Sequence, residues 1–339
     1  MTWLRRRWPE RAEGLHLGIG DDAAIVRTRR GQDLVLTTDL SVENVHFRLN
    51  LHPPRSIGHR ALARSLSDLA AMGARPRFAL LSLSFPQRIE RSWIAGFYGG
   101  LGALAARLGV TLIGGDTAVT DAPPVLVDLA GIGEIERGRA LRREGAKAGD
   151  RLYVTGRLGM AALGLALLKR GARPTRGADT RGGSTRRASL RAHLYPEPRC
   201  AVGRYLATRR LASAAIDVSD GFARDLGRLC DSSACGARIW QDRLPLVEGA
   251  PGRTAGADSK RNPSLPAHFD PLEFGLHGGE DYEIVFTVPR SKGSRLPRSI
   301  EGVNVHEIGE ITADRGLRML AADGEESILE PRGYDHFHK

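Results

Sequence analysis

Five short segments, far apart along the chain, each set aspartate beside glycine or a hydroxyl residue: Gly18-Ile19-Gly20-Asp21-Asp22, Thr37-Thr38-Asp39, Ser67-Asp68, Gly114-Gly115-Asp116 and Asp217-Val218-Ser219-Asp220-Gly221. Neighbouring carboxylates repel one another, which is costly on a constrained backbone unless positive charge lies against them. A sequence that repeats this arrangement is limited to folds that carry the segments toward cations. We read them as converging to hold divalent cations against phosphates.

At 339 residues the chain exceeds what one core usually supports, so two domains are expected. No stretch reaches the roughly 18–20 apolar residues of a membrane span, so no membrane partner is expected. The basic start, Met1-Thr2-Trp3-Leu4-Arg5-Arg6-Arg7, is followed by no apolar stretch of the kind a secretory signal needs. Cys200, Cys230 and Cys235 have neither metal-ligand spacing nor the number for a disulfide framework, and a reduced, cytoplasmic protein is expected. The net charge of +11 comes almost wholly from arginine, since lysine stands only at 147, 169, 260, 292 and 339. Arginine suits phosphate through its paired donors. These arginines are dispersed, densest over 170–191, with little aromatic interleaving, and no nucleic-acid module is visible.

Apolar runs and stop signals give an alternation of elements. Residues 1–16 read as an amphipathic lead-in. A strand is expected over 34–38, ending at Asp39, then a loop over 41–51 with His46 and a helix over 57–74 stopped by Gly73 and Pro76. Further strands are expected over 78–85, 110–113 and 124–135, with a helix over 90–108 closed by Gly109. After a boundary near 138–150 come a strand at 151–155, a helix at 159–169, a helix at 198–210, a strand at 214–218, a helix at 221–230, and strands at 281–288 and 303–308. The stretches 171–189 and 249–266 have little to bury and read as surface insertions, the first of them mobile. The fold class is α/β, with α+β layers, in two domains over 1–138 and 139–339. The halves rhyme weakly, each having a strand that ends in an acidic cluster followed by a helix.

Each cluster also has an ordinary reading. Asp21 or Asp22 could cap a helix, but capping accounts for one aspartate and not two beside Gly-x-Gly. That Gly-x-Gly lacks the third glycine of a dinucleotide fingerprint. Asp39 at a strand end, with oxygens from Thr37 and Thr38, suits a hard cation such as Mg²⁺. Asp68 falls on a helix face with Ile57, Ala61 and Met72, where a carboxylate needs a cation or an arginine such as Arg64, four residues back. Gly114-Gly115-Asp116 is read as a loop where backbone can approach a ligand. Gly278-Gly279-Glu280-Asp281-Tyr282 is read as a substrate loop, with a hairpin turn as its alternative. His46 and Arg143 carry little weight singly. No Walker or protein-kinase glycine loop and no Ser–His–Asp pattern appears. Phosphoryl transfer, which needs charge neutralisation more than covalent help, suits this inventory.

Taken in order, these motifs, with Leu66-Ser67-Asp68-Leu69-Ala70-Ala71-Met72-Gly73-Ala74, Gly114-Gly115-Asp116-Thr117, Val154-Thr155-Gly156, Gly278-Gly279-Glu280-Asp281-Tyr282-Glu283 and Gly333-Tyr334-Asp335-His336-Phe337, resemble the thiamine-monophosphate kinase family, in the superfamily of aminoimidazole ribonucleotide synthetase. The resemblance covers nearly the whole chain. It implies ATP-dependent conversion of thiamine monophosphate to thiamine diphosphate by direct in-line transfer, and a homodimer formed through the N-terminal sheet. It implies Asp22, Thr37, Thr38, Asp39, Asp68, Asp116, Asp217 and Asp220 as Mg²⁺ ligands, with Asp39, Asp116 and Asp220 catalytic. Tyr98, Gly115, Asp116, Arg143 and Ser219 would contact ATP. His46, Glu280 and Tyr334 would surround thiamine monophosphate, the tyrosine ring stacking on a cationic heterocycle. His277 departs from the family pattern before Gly278-Gly279. Two readings stand beside this one: another ATP-using synthetase of the superfamily, of purine-synthesis or hydrogenase-maturation type, and a non-catalytic arginine-rich nucleic-acid binder.

Overall fold

The computed structural model describes residues 12–17, 25–121, 124–172, 183–247 and 269–335. The chain divides into two compact units, Met1–Ala140 and Leu141–Lys339.

The first unit opens with the strands β1 (Leu15–Leu17) and β2 (Ile25–Val26), which pair antiparallel. The end of the expected lead-in is therefore strand. The unit continues with β3 (Gln32–Val42), helix α1 (Pro54–Ala71), β4 (Arg75–Pro86), helix α2 (Arg91–Leu108), β5 (Thr111–Thr120) and β6 (Leu126–Glu136). Four of these strands make a sheet in the order β3-β6-β4-β5. β3 does not end at Asp39, where its apolar run predicts an end. β3 pairs with β6 over its whole length, from Gln32↔Glu136 to Val42↔Leu126, so Asp39 lies mid-strand opposite Leu129. Gly114-Gly115-Asp116 is likewise strand and not loop, with Gly115 opposite Leu81 and Asp116 opposite Ser82 in a parallel pairing. Gly115 has φ +146°, and a Cβ there would sit 1.9 Å from the Leu81 carbonyl oxygen, so only glycine lets the two strands meet.

α1 is buried almost all round, so the single apolar stripe expected around Asp68 is in fact a helix enclosed on most sides. It lies on one face of the sheet, where Ser65 Oγ donates to the Leu129 carbonyl at 2.8 Å. The other face alternates outward along β3, leaving Leu34, Leu36 and Leu40 at 42%, 67% and 52% exposure.

The second unit contains β7 (Arg151–Thr155), α3 (Met160–Lys169), α4 (Gly183–Leu194), α5 (Cys200–Thr208), β8 (Ala214–Asp217), α6 (Phe222–Ser232), β9 (Gly236–Trp240), α7 (Pro271–His277), β10 (Ile284–Val288), β11 (Ser299–Ile300), β12 (Val303–Thr312), β13 (Gly316–Leu320) and β14 (Glu326–Ile328). Its sheet runs β14-β13-β9-β12-β7-β10-β8, with β11 paired to β12. Leu152, Val154, Ile216, Phe222, Leu226, Ile239, Val285 and Ile308 form its core.

The expected mobile insertion over 171–189 needs correcting where it is described. Residues from 183 onward are helix, and Leu190 and Leu194 pack with Leu163, Leu167 and Leu168 of α3. The arginine, glycine, serine and threonine of that stretch hid two well-placed leucines just beyond it. The second expected insertion, 249–266, lies outside the described residues. The strand expected from residue 281 begins at Ile284, because the preceding residues turn against the Ser219 loop.

Candidate functional site

Two acidic constellations are built, one in each unit. In the first, period-2 alternation along β3 puts Thr37 and Asp39 on the face that α1 covers. Thr37 Oγ1 donates to Asp68 Oδ2 at 2.5 Å, and Arg64 Nη2 donates to Asp39 Oδ1 at 3.3 Å. Burial pushes the Asp39 carboxyl up to about 6; Arg64 opposes the shift, and the charge on Asp68 adds to it. A helix residue and a strand residue thus bring two carboxylates together. A site that penalises double ionisation is one that a divalent cation would relieve.

Thr38 points to the other face, where its hydroxyl donates to Asp128 Oδ1 at 2.7 Å. Asp128 stands opposite Ser82, and Ser82 opposite Asp116, so Asp116, Ser82 and Asp128 form one row across three strands. Asp116 is exposed and accepts the N–H of Thr117 at 2.8 Å. Asp128 was missed in the sequence, although an acid inside the aliphatic run Leu126-Val127-Asp128-Leu129 was a usable signal. Tyr98 is buried on α2, edge-on to Phe97. Burial raises its phenol above the usual range, against a hydrogen bond with Thr117 beside Asp116. His46 Nδ1 accepts the N–H of Val42 at 3.0 Å, which fixes the turn after β3. Asp22 lies outside the described residues.

In the second unit β8 ends at Asp217, which is buried, and the chain turns through Val218-Ser219-Asp220 into α6. Asp225, in the first turn of α6, holds that turn. Its Oδ2 accepts the N–H groups of Ser219 at 3.0 Å and Asp220 at 2.9 Å. Arg228 Nη1 donates to Asp225 Oδ1 at 2.8 Å and to Asp220 Oδ2 at 2.7 Å. Asp225 is fully buried, and burial pushes its carboxyl up to about 6, helped by the charge on Asp220. It too was missed; an acid placed early in a helix that follows an Asp-rich turn was the signal available.

The Gly278–Tyr282 segment is no hairpin. It joins α7 to β10 and is tied to the Ser219 turn, the N–H groups of Glu280 and Tyr282 donating to the carbonyls of Ser219 at 2.8 Å and Val218 at 2.9 Å. Glu280 and Tyr282 hold φ of +61° and +51°, a left-handed conformation that non-glycine residues take only when the surroundings fix it. Asp281 accepts the N–H groups of Gly159 and Ala161 at the start of α3, at 2.7 and 3.0 Å, and burial pushes it up to about 7. Glu283 accepts Thr155 Oγ1 at 2.6 Å and Arg199 Nε at 2.7 Å. His193 of α4 brings Nδ1 to 3.5 Å from Glu280 Oε2. Tyr334 is 46% exposed, and its N–H donates to the Asp220 carbonyl at 2.9 Å. Arg143 is exposed; its carbonyl accepts Ser233 Oγ at 2.8 Å.

Among the described residues no three His, Cys, Asp or Glu side chains gather closely enough to hold a metal ion. Also among them, no helix is long and apolar enough to cross a membrane.

Family models match both units: the AIR synthase related protein N-terminal domain over residues 20–135 and its C-terminal domain over 147–321. The thiamine-monophosphate kinase of Escherichia coli K12 is 38% identical over 328 residues, covering 95% of this chain and 92% of that protein. Among solved structures, thiamine-monophosphate kinase from Stenotrophomonas maltophilia K279a superposes with a TM-score of 0.80 at 35% identity, covering 96% of each chain. A structure of AaThiL complexed with AMPPCP and TMP does so with a TM-score of 0.75 at 28% identity, covering 92% of this chain and 89% of that one. The chain belongs to the AIR synthase related family and, within it, to the thiamine-monophosphate kinases.

Proposed function

We propose that this chain transfers the γ-phosphate of ATP directly and in line to thiamine monophosphate, giving ADP and thiamine diphosphate. The observation that carries the reading is the likeness to thiamine-monophosphate kinases running through both units at 38% identity. The carboxylate pairs agree with it. Two phosphorylated substrates repel each other, and a transfer with a loose transition state depends on neutralising that charge.

Asp39 and Asp68, with Thr37, fit Mg²⁺ because they offer hard oxygens at a place where two negative charges are already crowded. Asp22, Thr38, Asp116, Asp217 and Asp220 are the other proposed Mg²⁺ ligands, Thr38 and Asp116 on the opposite face of the first sheet and Asp217 and Asp220 in the second unit. Bound there, Mg²⁺ would screen the phosphate oxygens and stabilise the charge that develops during transfer. Asp39, Asp116 and Asp220 are the proposed catalytic acids. Tyr98, Gly115, Asp116, Arg143 and Ser219 are proposed to receive ATP. His46, Glu280 and Tyr334 are proposed to receive thiamine monophosphate, with the exposed tyrosine ring offering a face to its cationic thiazolium.

The working form is a cytoplasmic homodimer. Leu34, Leu36 and Leu40 make an exposed apolar row on the sheet face opposite α1, of a kind monomers seldom keep open. Leu36→Glu is expected to convert a dimer to monomer in light scattering; a monomeric wild-type protein would overturn the assembly.

The activity is tested by incubating the chain with ATP, thiamine monophosphate and Mg²⁺ and separating the products by chromatography. Thiamine diphosphate formed in step with ADP is the expected result. ATP consumption without thiamine diphosphate would replace this reading with another ATP-using reaction of the superfamily.

A further inference from the structure

The C-terminal segment reaches the Asp220 turn through a chain of contacts that begins at His277. A guanidinium can only donate hydrogen bonds, so where Arg332 Nη2 lies 3.2 Å from His277 Nε2 the ring nitrogen accepts. The other ring nitrogen then carries the proton, and Nδ1–H donates to the Arg332 carbonyl at 3.0 Å. The imidazole is thus gripped by the side chain and the main chain of one residue. Glu273, one turn back on α7, holds the same guanidinium at 3.3 Å.

From that fixed point the chain runs straight to the candidate site. A Cβ on Gly333 would lie 2.4 Å from the Asp220 carbonyl oxygen, so the segment passes at a distance only glycine allows. Tyr334 N–H donates to that carbonyl at 2.9 Å, and Asp335 pairs with Arg224 of α6 at 2.9 Å. Tyr334 is therefore held from both sides, and the residue remains 46% exposed beside the turn that carries Asp220. The His277 side chain is 10% exposed and that of Arg332 65%, so the ring is largely covered while the guanidinium reaches solvent.

We propose that His277 is a positioning residue: it pins Arg332, and through it the Gly333–Asp335 segment, so that Tyr334 stands ready for thiamine monophosphate. The inference rests on the proposed substrate role of Tyr334. His277 does not touch substrate. It removes the entropy that a loose segment would lose on binding, so its effect falls on affinity and not on the transfer step.

The test compares His277→Ser, His277→Asn and Tyr334→Ala with the wild-type enzyme, by steady-state kinetics and by hydrogen exchange of the Tyr334 amide. Losing two hydrogen bonds is expected to raise KM for thiamine monophosphate roughly tenfold in His277→Ser, with kcat and the KM for ATP within about twofold of wild type. The Tyr334 amide should exchange about tenfold faster in the same variant. Asparagine keeps a donor near the Nδ1 position and should recover part of both effects. Unchanged exchange in His277→Ser would overturn the pinning. Faster exchange with an unchanged KM, while Tyr334→Ala raises KM, would overturn the positioning role and leave the substrate role of Tyr334 standing. If Tyr334→Ala leaves KM unchanged as well, the substrate role of Tyr334 falls and takes this inference with it.

Discussion

The two acidic constellations use the same residue types to different ends. In the first unit Asp39 lies beside Asp68, with Arg64 at 3.3 Å; in the second Asp220 lies beside Asp225, with Arg228 bonded to both. In each, burial pushes one acid up to about 6 and the neighbouring carboxylate adds to the shift. The difference is where the buried acid faces. Asp39 meets other side chains, so it can itself become a ligand. Asp225 spends one oxygen on the main-chain N–H groups of Ser219 and Asp220 and the other on Arg228, and Asp220, itself bonded to Arg228, is the acid proposed to act. A strand and a helix bring the first pair together by their packing, with Thr37 and Arg64 bonded to it from the same two elements. A turn cannot do that, and the second pair therefore needs an internal brace.

The sharpest way to break this comparison is to remove the proposed catalytic acid on each side. Asp39→Ala and Asp220→Ala are both expected to lower kcat by about 10³-fold or more, which is the scale for losing a group that stabilises charge in the transition state. Turnover to thiamine diphosphate measures this, with far-UV circular dichroism confirming the fold. Near-normal turnover in either folded variant would remove that residue from the site and end the parallel between the units. A smaller effect separates brace from ligand. Asp225→Asn can still accept a main-chain N–H but loses its charge against Arg228. It is expected to lower kcat roughly 10–100-fold and to cost about 2 kcal/mol of stability. A loss as deep as that of Asp220→Ala, with stability unchanged, would make Asp225 a ligand and not a brace.

How legible each half was in the sequence follows from the same contrast. Asp39 and Asp220 could both be found, because each follows a compact apolar run and stands beside a hydroxyl residue. The helix stop at Gly109 and the strands at 78–85 and 151–155 were also readable from local pattern. What could not be read depended on pairing partners. Asp39 is mid-strand only because β6 continues alongside it to Leu126, and Gly114-Gly115-Asp116 is strand only because β4 runs beside it. The separation of Thr37 from Thr38 is a matter of β3 alternation: one hydroxyl reaches Asp68, the other Asp128 on the opposite face. Asp225 escaped notice, and Asp281 and Glu283 stood in a motif without a role of their own, because their partners are main-chain groups or residues distant in sequence. His277, which departs from the family pattern, has a place in the structure that no local signal announced, since its partner lies 55 positions away.

The gentlest test of the comparison is stability against pH, measured without Mg²⁺ in chelating buffer. An acid whose native pKa is about 6, against an ordinary value of 3.8, binds more protons folded than unfolded between those limits. Its stabilising contribution is full below about 4, falls as pH rises through the native value, and is flat beyond it. For Asp225 the fall is on the order of 2–3 kcal/mol. An asparagine side chain does not titrate, so the stability penalty of Asp225→Asn should shrink between about pH 4.5 and pH 7. Asp39→Asn should show the same sign, because burial is again the leading cause, and a smaller size, because the Asp39 side chain is 20% exposed and that of Asp225 is 1%. Urea unfolding of the three proteins across that range reads the effect directly. A penalty that stays constant or grows toward neutral pH in Asp225→Asn would mean that the two main-chain N–H groups and Arg228 outweigh burial. The brace would then be an ordinary ionised carboxylate, and the electrostatic likeness between the two units would be lost.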